Sequence, residues 1–418
     1  ACSLGCMESR DIYSQVLGLQ EPWSVSSVEL DAREEEVRVR IEVDQGVCLP
    51  CPECKAECGG QDRRERKWRH LDTCEYRTVI IADVPRVRCP EHGVRQVTVP
   101  WGDPGSRFTA AFEAYAIGWL LEAPVAAVSR RLRVSWDQVD GIMQRAVQRG
   151  LARRDELAPR RIAVDETSFR KRHDYVTVVT DIDTGAVRYV ADNRRTESLM
   201  DFFDQFDPSE LVEIEAVSMD MWKPYIAATA HFLPRADEKI CFDRFHVAKH
   251  LGDAVDRTRR GEHKALMAEG DRTLVGTKYT WLRNVGHLEA STRRGFEAIR
   301  RVAIKTARAW SIREAAKGLW SYKSRTWAKK AWDRWLAWAR RCRLPHVVRV
   351  AKMVSEHFYG ILNAVVLGVT NAVAESVNSK IQRVKRMACG FRNRERFKTA
   401  IYFHLGGLNL TPSSHTKP

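Results

Sequence analysis

The chain has 418 residues, 44% of them hydrophobic, and a formal net charge of +15. That length exceeds one ordinary domain and suggests about two to four. The charge points to a polyanionic partner, with nucleic acid the first candidate. No run of 18 or more apolar residues occurs, so no single apolar membrane span is indicated and no membrane partner is expected. Ala1–Cys6 carries neither a basic lead nor an apolar core, so no secretion signal is expected, and Met7 offers an alternative start. Without such a signal, the eleven cysteines, clustered toward the N-terminus, read as metal ligands rather than disulfides.

In chain order, Val25–Leu30, Val37–Val43 and Tyr76–Ala82 alternate apolar and polar residues and are rich in β-branched side chains. They predict a small β-rich module over residues 1–100. Within it stand two short-spaced pairs, Cys51-Pro-Glu-Cys54 and Cys89-Pro-Glu-His92, separated by 34 residues. A structural Zn²⁺ takes four N or S ligands in a tetrahedron, and two such pairs supply two each. Cys48, Cys58, His70 and Cys74 are competing or additional ligands.

Trp101–Arg107 is a Gly/Pro linker, and helices are predicted at Phe108–Leu121, Val125–Leu132 and Trp136–Gly150. Over residues 101–155 this pattern resembles a helix-turn-helix, with a plain three-helix bundle as the other reading. Arg130, Arg131 and Arg133 at its turn can reach phosphates.

Residues 156–252 alternate strands and helices. Strands are predicted at Arg161–Asp165, Asp174–Asp181, Ala186–Ala191, Val212–Met219 and Lys239–Phe242, with helices at Ser198–Phe206 and Pro224–Phe232. The order suggests an α/β layer whose first three strands are antiparallel. Residues 253–365 are helical, basic and Trp-rich, and residues 366–410 resume helical sequence before a tail at 411–418. The spacing of Trp327, Trp332, Trp335 and Trp338 favours one buried face, the alternative being stacking on DNA bases.

Asp165 and Asp220 each end a predicted strand, where open α/β sheets gather catalytic groups. Two carboxylates brought together repel unless a divalent cation joins them. Mg²⁺ suits such oxygens and is commonly completed by substrate phosphate. A third acid, Glu375, shares a helix face with Asn371, Asn378 and Ser379. Glu166 rivals Asp165, and Asp181 rivals either aspartate.

Val164-Asp-Glu-Thr-Ser-Phe-Arg-Lys-Arg-His-Asp-Tyr175, Ser218-Met-Asp-Met-Trp-Lys-Pro-Tyr225 and Asn371-Ala-Val-Ala-Glu-Ser-Val-Asn-Ser-Lys-Ile-Gln-Arg-Val-Lys-Arg386 resemble the three catalytic motifs of the ISL3 family of bacterial insertion-sequence transposases. The resemblance spans nearly the whole chain. It implies an RNase H-like core interrupted by an all-α insertion, with a DDE triad at Asp165, Asp220 and Glu375 holding two Mg²⁺ (or Mn²⁺) ions. It also supports the zinc-binding head, with structural Zn²⁺ on Cys51, Cys54, Cys89 and His92. Cys241-Phe-Asp-Arg-Phe-His246 is similar to the strand-end Asp-x2-His element of transposases with helical insertions, so Asp243 and His246 support the metal site or contact DNA, the other reading being a structural strand-to-helix corner. Asn378, Lys380, Arg383, Lys385 and Arg386 are phosphate candidates. The partners so implied are double-stranded DNA, as terminal inverted repeats and as target, and a second or further copy of the chain. The implied location is the bacterial cytoplasm, in association with the nucleoid.

Overall fold

The computed structural model describes residues 8–44, 46–155, 157–170, 174–283 and 290–413, so Lys171–His173 of the first motif lie outside the described residues. The chain divides into two compact units. One comprises Ala1–Arg154, Met387–Gly390 and Tyr402–Pro418, the other Asp155–Arg386 and Phe391–Ile401.

In the first unit, helix α1 (Ser9–Val16) precedes strands β1 (Trp23–Asp31), β2 (Glu36–Val43), β3 (Leu49–Pro50), β4 (Glu57–Cys58), β5 (Gly60–Arg69), β6 (Arg77–Cys89) and β7 (Gly93–Gln96). The main sheet runs β1-β2-β6-β5, with β7 also on β6. β2 pairs with β6 in parallel, and its period-two pattern buries Val37, Val39, Ile41 and Val43. Trp101 meets Trp23 and Trp68 edge-to-face at 5.1 and 5.4 Å. Neither α1 nor β5 was expected. β5 reads Gly-Gln-Asp-Arg-Arg-Glu-Arg-Lys-Trp-Arg and buries little beyond Trp68. Lying at the sheet's margin, it is held by its ladder to β6 and by charge pairs such as Arg86–Asp62, not by an apolar face.

Helices α2 (Ala110–Glu122), α3 (Val125–Leu132) and α4 (Trp136–Ala152) follow in this unit, close to the expected bounds. Arg133 takes the left-handed conformation that ends α3, and Ser135 starts α4 through a capping box with Gln138. Glu113, buried on α2, accepts from Ser106 Oγ at 2.8 Å and from Arg145 Nη2 at 2.6 Å, which ties α2 to α4.

His70 is buried against Thr109, with Nδ1 2.9 Å from Oγ1, and burial together with Arg69 pushes its pKa down from 6.5 to about 4. The folded state therefore binds fewer protons than the unfolded chain between those values. Its stability contribution is complete above pH 6.5 and is lost as pH falls toward 4. The shift, 6.5 less 4, corresponds to about 3 kcal/mol. Urea midpoints measured across this range should fall more steeply for the wild type than for His70→Gln; parallel curves would disprove the linkage.

The second unit is built on strands β8 (Arg161–Arg170), β9 (Asp174–Asp181), β10 (Val187–Asp192), β11 (Ala216–Met219) and β12 (Ile240–Phe242), in the order β10-β9-β8-β11-β12. The first three are antiparallel, and β11 is parallel to both β8 and β12. Helices α5 (Thr196–Phe203), α6 (Pro208–Val212), α7 (Lys223–Phe232) and α8 (Ala236–Lys239) connect them. The strand predicted from Val212 begins only at Ala216, because Pro208 at the first helical turn and an Asp207/Glu210 capping box make α6 of the residues up to Val212.

From Arg244 to Leu367 the described elements are helical: α9 (Arg244–Ala268), α10 (Lys278–Leu282), α11 (Ala290–Val302), α12 (Ile304–Gly318), α13 (Arg325–Arg341), α14 (Pro345–Glu356) and α15 (Phe358–Leu367). α16 (Ala372–Met387) and α17 (Arg394–Leu405) follow. Trp281, Trp332 and Trp335 are core, whereas Trp327 and Trp338 are exposed. The expectation of one buried face for all four α13 tryptophans is corrected. Successive residues turn by about 100°, so Trp327 and Trp338 share a flank well away from Trp332. No single helix among the described residues is long and apolar enough to cross a membrane.

α15 holds β12 in place. Asn363 Nδ2 donates to the carbonyls of Asp237 and Ile240 at 2.7 and 2.9 Å. Gly360 lies so close that a Cβ there would fall 2.4 Å from the Phe242 ring. Gly360→Ala is expected to destabilise this unit by about 1–3 kcal/mol, since overpacking must move the ring or the strand. Chemical denaturation checks this, and an unchanged midpoint would contradict the close approach.

Candidate active site and metal centre

The catalytic candidates are assembled by strand register. β11 pairs with β8 as Ala216↔Arg161, Val217↔Ile162 and Ser218↔Ala163, and with β12 as Val217↔Ile240, Ser218↔Cys241 and Met219↔Phe242. Continuing both ladders sets Asp165, Asp220 and Asp243 level on three neighbouring strands, whose usual spacing is about 4.8 Å. Asp165 does not end its strand as expected. β8 continues to Arg170 because β9 pairs with it that far. Asp220 and Asp243 each follow the last residue of a strand.

Asp165 is partly buried. Its Oδ1 accepts from the Glu166 N–H at 2.8 Å and its Oδ2 from Asn378 Nδ2 at 2.8 Å. Burial raises its proton affinity, opposed by the Glu166 N–H and His246, with Asp220 and Asp243 adding repulsion. Asp243 caps α9, its Oδ1 accepting from Phe245 N at 3.1 Å. Its buried Oδ2 has no hydrogen-bond partner among the described residues, and His246 Nε2 lies 3.9 Å away. Burial raises its pKa too, with Asp220 contributing.

Glu166 is pushed up to about 7, by burial first and then by Asp220, with Arg194 opposing. Arg194 was not foreseen. It pairs with Glu166, donates to Asp220 Oδ2 at 2.7 Å and stacks 4.2 Å over the centre of Trp222. Its sequence neighbourhood, Asn193-Arg-Arg195, carries no motif that marks it. Buried Tyr225 closes the base, with Oη 2.8 Å from Thr177 Oγ1. Asp181 is engaged elsewhere, accepting from Thr184 Oγ1 at 2.8 Å in the turn after β9.

α16 lies along β8. Asn378 reaches Asp165, Gln382 Nε2 donates to Thr167 Oγ1 at 3.0 Å, and Lys385 Nζ donates to the Ser168 carbonyl at 2.8 Å. Glu375 is exposed in the first turn of α16, three residues before Asn378, and so on the face that meets Asp165.

A divalent cation fits the chemistry of this row: raised proton affinities and a buried carboxylate oxygen without a donor are relieved by a shared positive ion. The acids do not close on one point. Among the described residues, only Cys51, Cys54, Cys89 and His92 form a set of three or more candidate ligands with donor atoms all within 4.8 Å.

That quartet fits zinc. Cys54 and Cys89 Sγ are 3.6 Å apart, and His92 Nδ1 is 3.5 Å from Cys89 Sγ and 3.9 Å from Cys51 Sγ. Zn–S bonds of about 2.3 Å in a tetrahedron require sulfurs about 3.8 Å apart. His92 Nε2 faces Glu53 at 3.4 Å, the outer carboxylate that orients a metal-bound imidazole. The rivals fall outside this set: Cys48 and Cys74 do not converge on it, His70 bonds Thr109, and Cys58 donates to the Ala56 carbonyl at 3.3 Å.

The proposed phosphate contacts divide. Arg130, Lys380, Arg383 and Arg386 are exposed. Arg131 is exposed and stacks 5.1 Å over the centre of Trp119. Arg133 donates to Asp72 at 2.6 Å and to the Glu75 carbonyl at 2.8 Å, so its turn-side guanidinium serves the protein. Asn378 and Lys385 likewise serve β8.

Residues 162–401 match a family model described as a transposase, and residues 97–147 match the helix-turn-helix domain of transposase family ISL3. Residues 50–92 match the zinc-finger of transposases IS204, IS1001, IS1096 and IS1165. The transposase for insertion sequence element IS1557 of Mycobacterium tuberculosis is 28% identical over 444 residues, covering 99% of each chain. The transposase for insertion sequence element IS1001 of Bordetella parapertussis is 26% identical over 352 residues, covering 83% of this chain and 86% of its own. With a zinc-finger, a helix-turn-helix and a transposase region in that order, and the last spanning more than half its length, the chain belongs to the ISL3 family of transposases.

Proposed function

We propose that this transposase cuts DNA at the ends of its element and joins the freed 3′-hydroxyl to target DNA, using Asp165, Asp220 and Glu375 to hold two Mg²⁺ ions. The helix-turn-helix and transposase regions imply DNA binding. The observation that carries the reading is the level placement of Asp165 and Asp220 on adjacent parallel strands, with Asp243 beside them. The strand order β10-β9-β8-β11-β12, antiparallel then parallel, supports an RNase H-like core. The helices between β12 and α16 read as its insertion.

Two divalent ions at this row supply activation of the attacking oxygen and stabilisation of the leaving one. Asn378 fixes the Asp165 carboxylate, and Asp243 anchors α9 so that His246 faces it. Arg194 holds Asp220 and Glu166 in place. In the first step a water oxygen bonds to phosphorus as the bond to the 3′ oxygen breaks, leaving a 3′-hydroxyl. In the second, that hydroxyl bonds to a target phosphorus as a target P–O bond breaks. The zinc-binding head and helix-turn-helix recognise the element end, and the chain acts as a dimer or higher homo-oligomer.

Labelled end DNA incubated with a plasmid target and Mg²⁺ tests the proposal. Nicking followed by covalent joining is expected. Hydrolysis without joining would reduce the protein to a nuclease, and salt-sensitive binding without nicking would make it a regulator.

A further inference from the structure

The helix that leaves Asp243 carries a second line of chemistry. His246, His250, Asp253 and Arg257 follow at spacings of three or four, so they share one face of α9. Beyond His246 this face meets α14 in a groove of about 310 Å³, lined by His250, Asp253, Arg257, His346 and Arg349 over a floor that includes Ala254, Val350 and Met353.

The charges in this groove are unbalanced. On the same helix Arg259 and Arg260 share one carboxylate, Asp256, at 2.9 and 3.3 Å, which leaves that trio with a net positive charge. Arg257 and Arg349 have no ion-pair partner among the described residues, and both are exposed. Asp253 is the one acid in the lining. Burial lowers the proton affinity of His346, and Arg257, Arg349 and Arg260 lower it further, so three guanidiniums act on one imidazole. A concave site with two free guanidiniums and an apolar floor matches a phosphate with the sugar next to it.

We propose that the α9–α14 groove binds the phosphodiester backbone of DNA, with Arg257 and Arg349 as its phosphate ligands. From His246 to Arg257 is 11 residues, 257 less 246, a rise of about 16 Å. At about 3.4 Å per base-pair step, the groove takes a phosphate about five steps from the one at the carboxylate row. Only this last placement rests on the proposed strand chemistry. Phosphate binding by the groove does not.

The test measures affinity of the full chain for a fluorescent duplex of unrelated sequence as a function of salt. Each lost phosphate contact lowers the slope of log K against log salt by about 0.9. The double variant Arg257→Ala/Arg349→Ala should therefore lose about 1.8 of slope. Arg257→Lys/Arg349→Lys should keep it, and so should Lys329→Ala, which removes an exposed cation already paired with Asp333 at 2.9 Å. A wild-type slope in the alanine variant with an unchanged melting temperature would overturn the proposal. An equal loss in the lysine variant would overturn it too, assigning the arginines to folding. Mg²⁺-dependent cleavage is read separately on the wild type. Absence of cleavage with the slope result intact defeats the strand chemistry and leaves the groove standing.

Discussion

Asp165→Asn is expected to abolish strand cleavage while sparing end binding and the fold. Losing one carboxylate from a cation site costs about 4 kcal/mol of transition-state stabilisation, or about 10³ in rate. Folding responds in the opposite sense. The Asp165 carboxylate is disfavoured by burial and by its neighbours Asp220 and Asp243, so a neutral isostere relieves that cost. In chelator the variant should melt at or above the wild-type temperature, and Mg²⁺ should raise the wild-type melting point alone. Asp220→Asn should behave similarly in cleavage, but it also frees Arg194 from its 2.7 Å contact. Glu375→Gln is the more searching variant, because Glu375 is exposed and its place is inferred from Asn378 one turn along. Strand transfer by Glu375→Gln at the wild-type rate would remove it from the triad and direct attention to Asp243, whose Oδ2 has no hydrogen-bond partner among the described residues.

Removal of zinc should unfold much of the N-terminal head. Residues 46–58 form only the two-residue strands β3 and β4, so few backbone bonds hold them. Yet Cys51, Cys58 and Cys89 belong to the same buried cluster as Val39, Ile80 and Trp101. A structural zinc site supplies about 10 kcal/mol of apparent binding energy at neutral pH, comparable to the whole stability of a small domain. Cys51→Ser and Cys89→Ser should each lose bound zinc and most near-ultraviolet dichroism of the Trp23–Trp101–Trp68 set. Full retention of one zinc per chain by Cys51→Ser would show that another residue is the ligand. Element-end binding should fall with the head, while the transposase unit keeps its own melting transition.

Much of the local structure was legible in the sequence, because it follows from short-range periodicity. β2 alternates with period two, β9 is a continuous β-branched run buried from Val176 to Asp181, and both form as expected. α3 has the expected bounds, set by Pro124 before it and Arg133 after it. The Cys/His cluster that fits zinc was legible because each of its two pairs sits within one short knuckle. β5 was not legible, since its stability comes from a ladder to β6 and leaves no apolar period of its own. The buried face assigned to four tryptophans failed at Trp327 and Trp338, where hydrophobicity alone did not say which flank of α13 meets a neighbour.

The sequence by itself determined the order of the regions and the family, both of which are carried by contiguous motifs. Tertiary structure alone decided which candidates meet. Asp165, Asp220 and Asp243 come level only through pairing between strands far apart in the chain. Arg194 joins them through two acids that are distant in sequence. Cys51, Cys54, Cys89 and His92 are set apart from their rivals by the convergence of their donor atoms within 4.8 Å. A motif records a residue's neighbours along the chain, whereas coordination and ion pairing depend on distance in space.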